Sequence, residues 1–246
     1  MRQYLGKTVN IIIDRPLGST HPNHPNLVYL VNYGYIPDII GGDGEEQDIY
    51  LLGVDEPVKE YTAKVIGIVH RKNDIEDKLV AAPDGVIFDQ AQIAEMVDFQ
   101  EKFFDSHYES LYPKSCGAIV YRRGSEGIRY LCLKQTSGVY STPKGHMEAH
   151  ESEPETARRE ILEEIGLTLD IDTTFRYETE YKLKYGKLKT LVLFLAECAG
   201  ELNIDPGEIT EHCWLPYEQA REVLPYWYTD AIEKADSVLR LSIQTS

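Results

Sequence analysis

Basic residues are scarce in this 246-residue chain: 25 lysines and arginines stand against 41 aspartates and glutamates, a formal net charge of −16. Binding to polymeric nucleic acid relies on a basic face that displaces counterions. A nucleic-acid polymer is therefore excluded as the main partner, and a small polyanion needs a metal ion and local lysines to reverse the field. Cysteines number only four, and Cys116, Cys132, Cys198 and Cys213 show no close metal-ligand spacing. Reduced thiols are expected, with no disulfide framework. Long apolar runs are also missing: no stretch approaches the roughly 20 residues needed to cross a bilayer. Met1-Arg2-Gln3-Tyr4-Leu5-Gly6 has no apolar leader core. A cytoplasmic location with no membrane partner is expected. There is no low-complexity tract and no repeat of fixed period, and composition leaves a monomer and a homodimer both open.

What is present is enough chain for two ordinary domains, each able to bury a core. In the first block Val9–Ile13, Asp48–Leu52, Ala63–Val69 and Lys78–Ala82 read as β-strands bounded by Gly, Pro or Asp, which suggests a small β-barrel. Ile93, Val97, Gln100 and Phe104 then mark a helical stripe. Asp105 to Ser115 turns polar and aromatic and contains Pro113, so the linker is placed there, between domains at 1–108 and 114–246. In the second block strands are expected at Cys116–Tyr121, Ile128–Leu133, Phe175–Tyr181 and Thr190–Ala196, with a hairpin turn between Gly124 and Gly127, a further turn at Gly186 and a second helix from about Tyr217.

Between them lies the most informative run, Gly145-x5-Glu151-x7-Arg159-Glu160-Ile161-Leu162-Glu163-Glu164-Ile165-Gly166-Leu167. Pro154 suits a first helical position and Gly166 a left-handed stop, so the glutamates sit on a helix. Glu160, Glu163 and Glu164 then occupy neighbouring surface positions, about 5–6 Å apart at Cβ. Like charges so placed repel unless a cation neutralises them. Hard divalent cations take carboxylate oxygens and leave positions for water and substrate phosphates, so a metal-phosphate site is the reading.

Every specified position of this run matches the signature of the Nudix hydrolases, which the chain resembles. The resemblance implies an α/β/α sandwich with a mixed sheet, hence an α+β chain overall, and hydrolysis of a nucleoside diphosphate linked to another group by metal-activated water. It implies Mg²⁺, or Mn²⁺ in its place, held by Glu160 and Glu164, with Glu163 supporting a second ion and the Gly145 carbonyl adding an oxygen. Arg159 would orient the glutamates by pairing with Glu151, and a general base is sought before the last strand, where Glu208 fits the spacing to Trp214 better than Glu211. The flanks resemble the asymmetrical diadenosine tetraphosphate hydrolases: Ser115–Arg122, Thr142–Glu148, and Tyr181 with Lys187–Thr190. In that likeness Lys144 and His146 touch polyphosphate and Tyr140 and Tyr181 stack on adenine. Lys182, Lys184, Lys187 and Lys189 cluster in an otherwise acidic chain, which favours a long polyphosphate. The partner implied is a small nucleotide polyphosphate.

The first block resembles the family I inorganic pyrophosphatases through Asn32-Tyr33-Gly34-Tyr35-Ile36-Pro37, Asp43-Gly44-Glu45-Glu46-Gln47-Asp48 and Lys78-Leu79-Val80-Ala81-Ala82-Pro83. That family binds Mg²⁺ on a D-G-D-P-x-D loop. Asp43 and Asp48 are kept here as candidate metal ligands, but Glu45 replaces the middle aspartate and the proline is absent. The hairpin carrying the family's phosphate-binding residues is missing, and the expectation is a degenerate barrel. Two alternatives stay open. A nucleoside triphosphate pyrophosphohydrolase would need a working barrel to consume its pyrophosphate, and a nucleotide sensor would bind without turnover, though it has no use for aligned glutamates.

Overall fold

The computed structural model describes residues 1–183, 187–204 and 206–244, and the expected turn at Gly186 lies outside them. The chain forms two compact units, the first built on Met1–Pro113 with Glu148–His150 and residues 187–188, the second on Lys114–Met147, Glu151–Leu183 and the described residues from Lys189.

In the first unit, strands β1 (Thr8–Arg15), β2 (Thr20–His21), β3 (His24–Val28), β4 (Asn32–Ile40), β5 (Glu46–Leu51), β6 (Glu60–Arg71) and β7 (Lys78–Ala82) precede helix α1 (Gln90–Glu101) and strand β8 (Ser106–Ser110). The order β1-β4-β5-β7-β6 closes because β6 also pairs with β1, giving a five-stranded barrel. Period-2 alternation splits the strands between two apolar clusters. Ile49, Leu51, Leu79 and Ala81 enter one, while Tyr50, Val80 and Ala82 join the other with Ile93 and Val97 of α1. The segment read as linker contains β8, which pairs antiparallel with β6 from Gly67↔Ser110 to Arg71↔Ser106. It is polar because only Ser110 of β8 is buried, a common condition of an edge strand and one that composition does not separate from a linker.

The second unit contains β9 (Lys114–Gly124), β10 (Gly127–Gln135), β11 (Tyr140–Ser141), β12 (Lys144–His146), α2 (Glu153–Ile165), β13 (Ile171–Lys182), β14 (Leu188–Glu197), β15 (Ile209–Leu215), α3 (Tyr217–Val223) and α4 (Thr229–Gln244). The sheet is mixed, since β9 runs antiparallel to β10 and parallel to β14. Cys116, Ala118 and Val120 of β9 meet Ala157, Ile161 and Ile165 of α2 on one face. Ile119 and Tyr121 join Ala231, Ile232 and Ala235 of α4 on the other. Helices on both faces of a mixed sheet make the expected sandwich. The helix expected from Tyr217 is interrupted: α3 stops before Pro225, a 3-10 turn covers Tyr226–Tyr228, and α4 follows.

One irregular piece shapes the site. From Tyr140 to His146 the chain forms a strap, with β11 pairing β10 at Leu133↔Ser141 and β12 pairing β9 at Lys144↔Gly117. The strap passes so close that a Cβ on Gly117 would stand 2.1 Å from the Pro143 carbonyl oxygen. Among the described residues no helix is long and apolar enough to cross a membrane.

Candidate functional site

Helix α2 is well punctuated. The Ser152 amide donates to Glu155 Oε2 at 2.8 Å, Pro154 lies in the first turn, and Gly166 ends the helix at φ 69°, its amide donating to the Leu162 carbonyl at 2.9 Å. Its glutamates do not share one direction. Glu160 and Glu164, the latter 3 % exposed, turn inward with Ala157 and Ile161, whereas the Glu163 side chain is 57 % exposed. At about 100° per residue Glu163 lies about 60° to one side of Glu160 and Glu164 about 40° to the other. That difference separates a solvated carboxylate from one under the strap.

Arg159 gathers the remaining acids. Its guanidinium donates to Glu151 at 2.6 and 2.9 Å, to Glu160 Oε1 at 2.7 Å, to Glu163 Oε2 at 3.1 Å and to the His146 carbonyl at 2.9 Å. Gly145 lies against Glu160, and a Cβ there would stand 2.0 Å from the carboxylate. The Lys144 backbone faces the Glu164 carboxyl and favours its charged form, but Glu164 Oε2 has no hydrogen-bond partner. Burial pushes Glu164 up to about 8, opposed by Lys144 and reinforced by the charges of Glu160 and Glu208. Burial also raises Glu160, against the pull of Arg159. Two buried carboxyls, one with an orphaned oxygen, beside a backbone that only glycine can bring so close, fit a hard cation with oxygen ligands. Among the described residues no three His, Cys, Asp or Glu side chains already converge on one point. Arg159 provides the positive charge there in this structure.

A basic wall faces the pair. The Lys189 ammonium, pushed down to about 8 by burial and by Lys144, is 3.4 Å from His146 Nε2 and feels the Glu160 charge. Lys182 is exposed, Lys187 is half-buried, and Lys184 lies outside the described residues. Glu208 is exposed in the loop before β15, near enough for its charge to act on Glu164. Glu211 is otherwise engaged, accepting from Lys134 Nζ at 2.9 Å and from the Tyr140 hydroxyl at 3.4 Å. Tyr181 is buried, its ring stacked on Trp227 with centroids 4.4 Å apart and planes 5° from parallel. The expected adenine platform thus has one face covered by an aromatic residue some forty-six positions on, which no local pattern announces. Trp227 and the fully buried Tyr228 are residues the sequence reading missed.

A family model for the NUDIX domain matches residues 111–235 of the 246. The chain belongs to the Nudix family. Bis(5'-nucleosyl)-tetraphosphatase [asymmetrical] of Sus scrofa is 37% identical over 127 residues, 46% of this chain and 85% of that protein. The Mus musculus protein of the same description is 32% identical over the same shares. A solved structure described as a C. elegans Ap4A hydrolase binary complex aligns at a TM-score of 0.49 with 25% identity, over 52% of this chain and 98% of that one. A second family model, for inorganic pyrophosphatase, matches residues 9–115. The second unit is a Nudix hydrolase, an enzyme of phosphorus-containing anhydrides.

Outside the Nudix unit, the pyrophosphatase-like barrel has a polar cluster of its own. Lys78 Nζ donates to Asp48 Oδ2 at 2.5 Å and also pairs with Glu76, whose Oε1 accepts the Asp48 amide at 3.2 Å. Asp43 is exposed and accepts the Glu45 amide at 3.0 Å. The Arg15 guanidinium lies 5.1 Å from the Tyr33 ring centroid, beside Asp14, and senses the charge of Asp48. Arg15 Nε, Ser19 Oγ and Tyr29 OH are buried without hydrogen-bond partners. Arg15 is about thirty residues from the acidic loop in sequence. Strand pairing of β1 with β4, and of β4 with β5, brings the two together.

Proposed function

We propose that the Nudix domain, over 114–246, hydrolyses an adenine dinucleoside polyphosphate with Mg²⁺ or Mn²⁺, cleaving diadenosine tetraphosphate to ATP and AMP. The observation that carries this reading is the pair of inward carboxyls, Glu160 and Glu164, opposed by Lys144, His146 and Lys189. Acids for a cation and bases for phosphates are needed together in an acidic chain. The substrate is suggested by the relatives described as asymmetrical tetraphosphatases.

Glu160, Glu164 and the Gly145 carbonyl would hold the essential cation, and Glu163 a second one. When bound, such ions lower the pKa of the attacking water and neutralise charge developing on the phosphate chain. Glu208 would serve as the general base for the attacking water, its exposure letting it pass the proton on to solvent. Arg159 holds Glu160 and Glu163 through its anchor on Glu151. Lys144, His146 and Lys189 bind the polyphosphate, and Tyr140 and Tyr181 line the base site. In aqueous aromatic platforms each stacked base contributes roughly 1–3 kcal/mol.

A second reading, hydrolysis of a nucleoside triphosphate with the barrel over 1–108 consuming the released pyrophosphate, is favoured by the buried, unpartnered Arg15 Nε and Tyr29 OH, both within electrostatic reach of Asp48. Incubation with Mg²⁺ and diadenosine tetraphosphate, ATP, dNTPs, ADP-ribose or pyrophosphate, followed by product identification, separates the two. ATP with AMP supports the first reading. A monophosphate with orthophosphate from a triphosphate supports the second.

A further inference from the structure

Tyr228 occupies the 3-10 turn between α3 and α4 and is 2 % exposed, packed with Tyr181, Ala220, Leu224 and Ala231. A phenylalanine would fill such a pocket equally well, so the hydroxyl needs a reason. It faces the side chain and backbone of Thr142 and lies within electrostatic reach of Glu164. Tyr228 OH, Thr142 Oγ1 and Glu164 Oε2 are all buried, and none has a hydrogen-bond partner in this structure. Buried polar groups of this kind are rare and ordinarily exist to satisfy one another or a ligand.

Thr142 lies inside the strap, between β11 and β12, just before its most constrained point. The next residue, Pro143, accepts the Ala118 amide at 3.0 Å, and the following two are Lys144, whose backbone faces Glu164, and Gly145, which lies against Glu160. A displacement at Thr142 is therefore transmitted along four consecutive residues to both inward carboxyls.

We propose that Tyr228 is a positioning residue of the hydrolytic site, its hydroxyl holding Thr142 and thereby aiming the Lys144 amide and the Gly145 carbonyl at the pair Glu160 and Glu164. The inference rests on the assignment of that pair as the cation site. Outer groups that orient metal ligands typically change metal affinity or activity by about 10- to 100-fold when removed.

The test uses the full chain and the best substrate of the nucleotide panel. Tyr228→Phe should lower kcat and raise the Mg²⁺ concentration for half-maximal activity by about 10-fold, with KM for the nucleotide unchanged. Thr142→Val should do the same from the other side, and the double variant should add nothing, since both remove one link. A purely structural role would lower the melting temperature and leave the Mg²⁺ requirement of the folded enzyme where it was. The proposal is overturned if both variants keep the parental kcat and Mg²⁺ requirement while Glu164→Gln is inactive. A fully active Glu164→Gln enzyme overturns the cation assignment and this inference with it.

Discussion

At the scale of single residues, Glu164 and Gly145 do opposite things with one oxygen site. Glu164 supplies a buried carboxyl whose second oxygen has no partner, and Gly145 supplies the absence of a side chain beside Glu160. Without a cation, burial keeps the Glu164 carboxyl mostly protonated at pH 7, so the isosteric Glu164→Gln change should leave the melting temperature nearly as it was. Turnover should fall by more than about 100-fold, because a ligand is lost. Steady-state kinetics beside thermal melts check both, and a rate near the parent's would refute the assignment. Gly145→Ala tests the other half. Its Cβ would collide with the Glu160 carboxylate, and a displacement near 1 Å at a reacting site costs on the order of 100-fold. The expected outcome is a folded protein with its rate reduced by at least that amount.

At the scale of elements, α2 owes its placement to its first turn as much as to its apolar face. Glu153 pairs with Arg176 at 2.6 and 2.8 Å and with Lys114 at 2.5 Å, which ties the helix start to β13 and β9. Arg176 and Lys114 hold the Glu153 carboxyl down at about 2, from an ordinary 4.5, despite partial burial. The unfolded chain therefore binds this proton more readily than the folded one. The stabilisation is present above pH 4.5 and is lost as pH falls toward 2. Solvent screening limits it to about 1 kcal/mol. Glu153→Gln should accordingly lower the melting temperature by a few degrees at pH 7 and leave it unchanged near pH 2. Equal losses at both pH values would show that packing, and not charge, is involved.

At the scale of the whole molecule, a Nudix unit and a pyrophosphatase-like barrel share one chain, and their polar clusters are built differently. The Nudix site leaves an acid oxygen without a partner, whereas in the barrel Lys78 already pairs with both Asp48 and Glu76. Asp48→Asn should leave nucleotide hydrolysis within about twofold of the parent if the units act separately, an effect below the usual magnitude for ligand-orienting groups. The same variant should abolish orthophosphate release from pyrophosphate if the barrel is active. A large loss of nucleotide turnover in Asp48→Asn would refute independence.

Local chemistry made the catalytic half of the protein readable before any coordinates. Gly145, Glu151, Arg159, Glu160, Glu164 and Gly166 fall within about twenty residues, so helical periodicity and capping alone determine that carboxylates gather on one helix. Several strands, among them Val9–Ile13, Lys78–Ala82 and Cys116–Tyr121, were legible from their local apolar runs. Tertiary structure alone decided which glutamates face inward, because that depends on where the strap crosses Gly117. It also set Trp227 on Tyr181, brought Tyr228 to Thr142, put Arg15 within electrostatic reach of Asp48 and formed β8 in the segment read as linker. Those partners are separated by tens of residues, and their meeting is fixed by strand pairing and core packing, which no local pattern encodes.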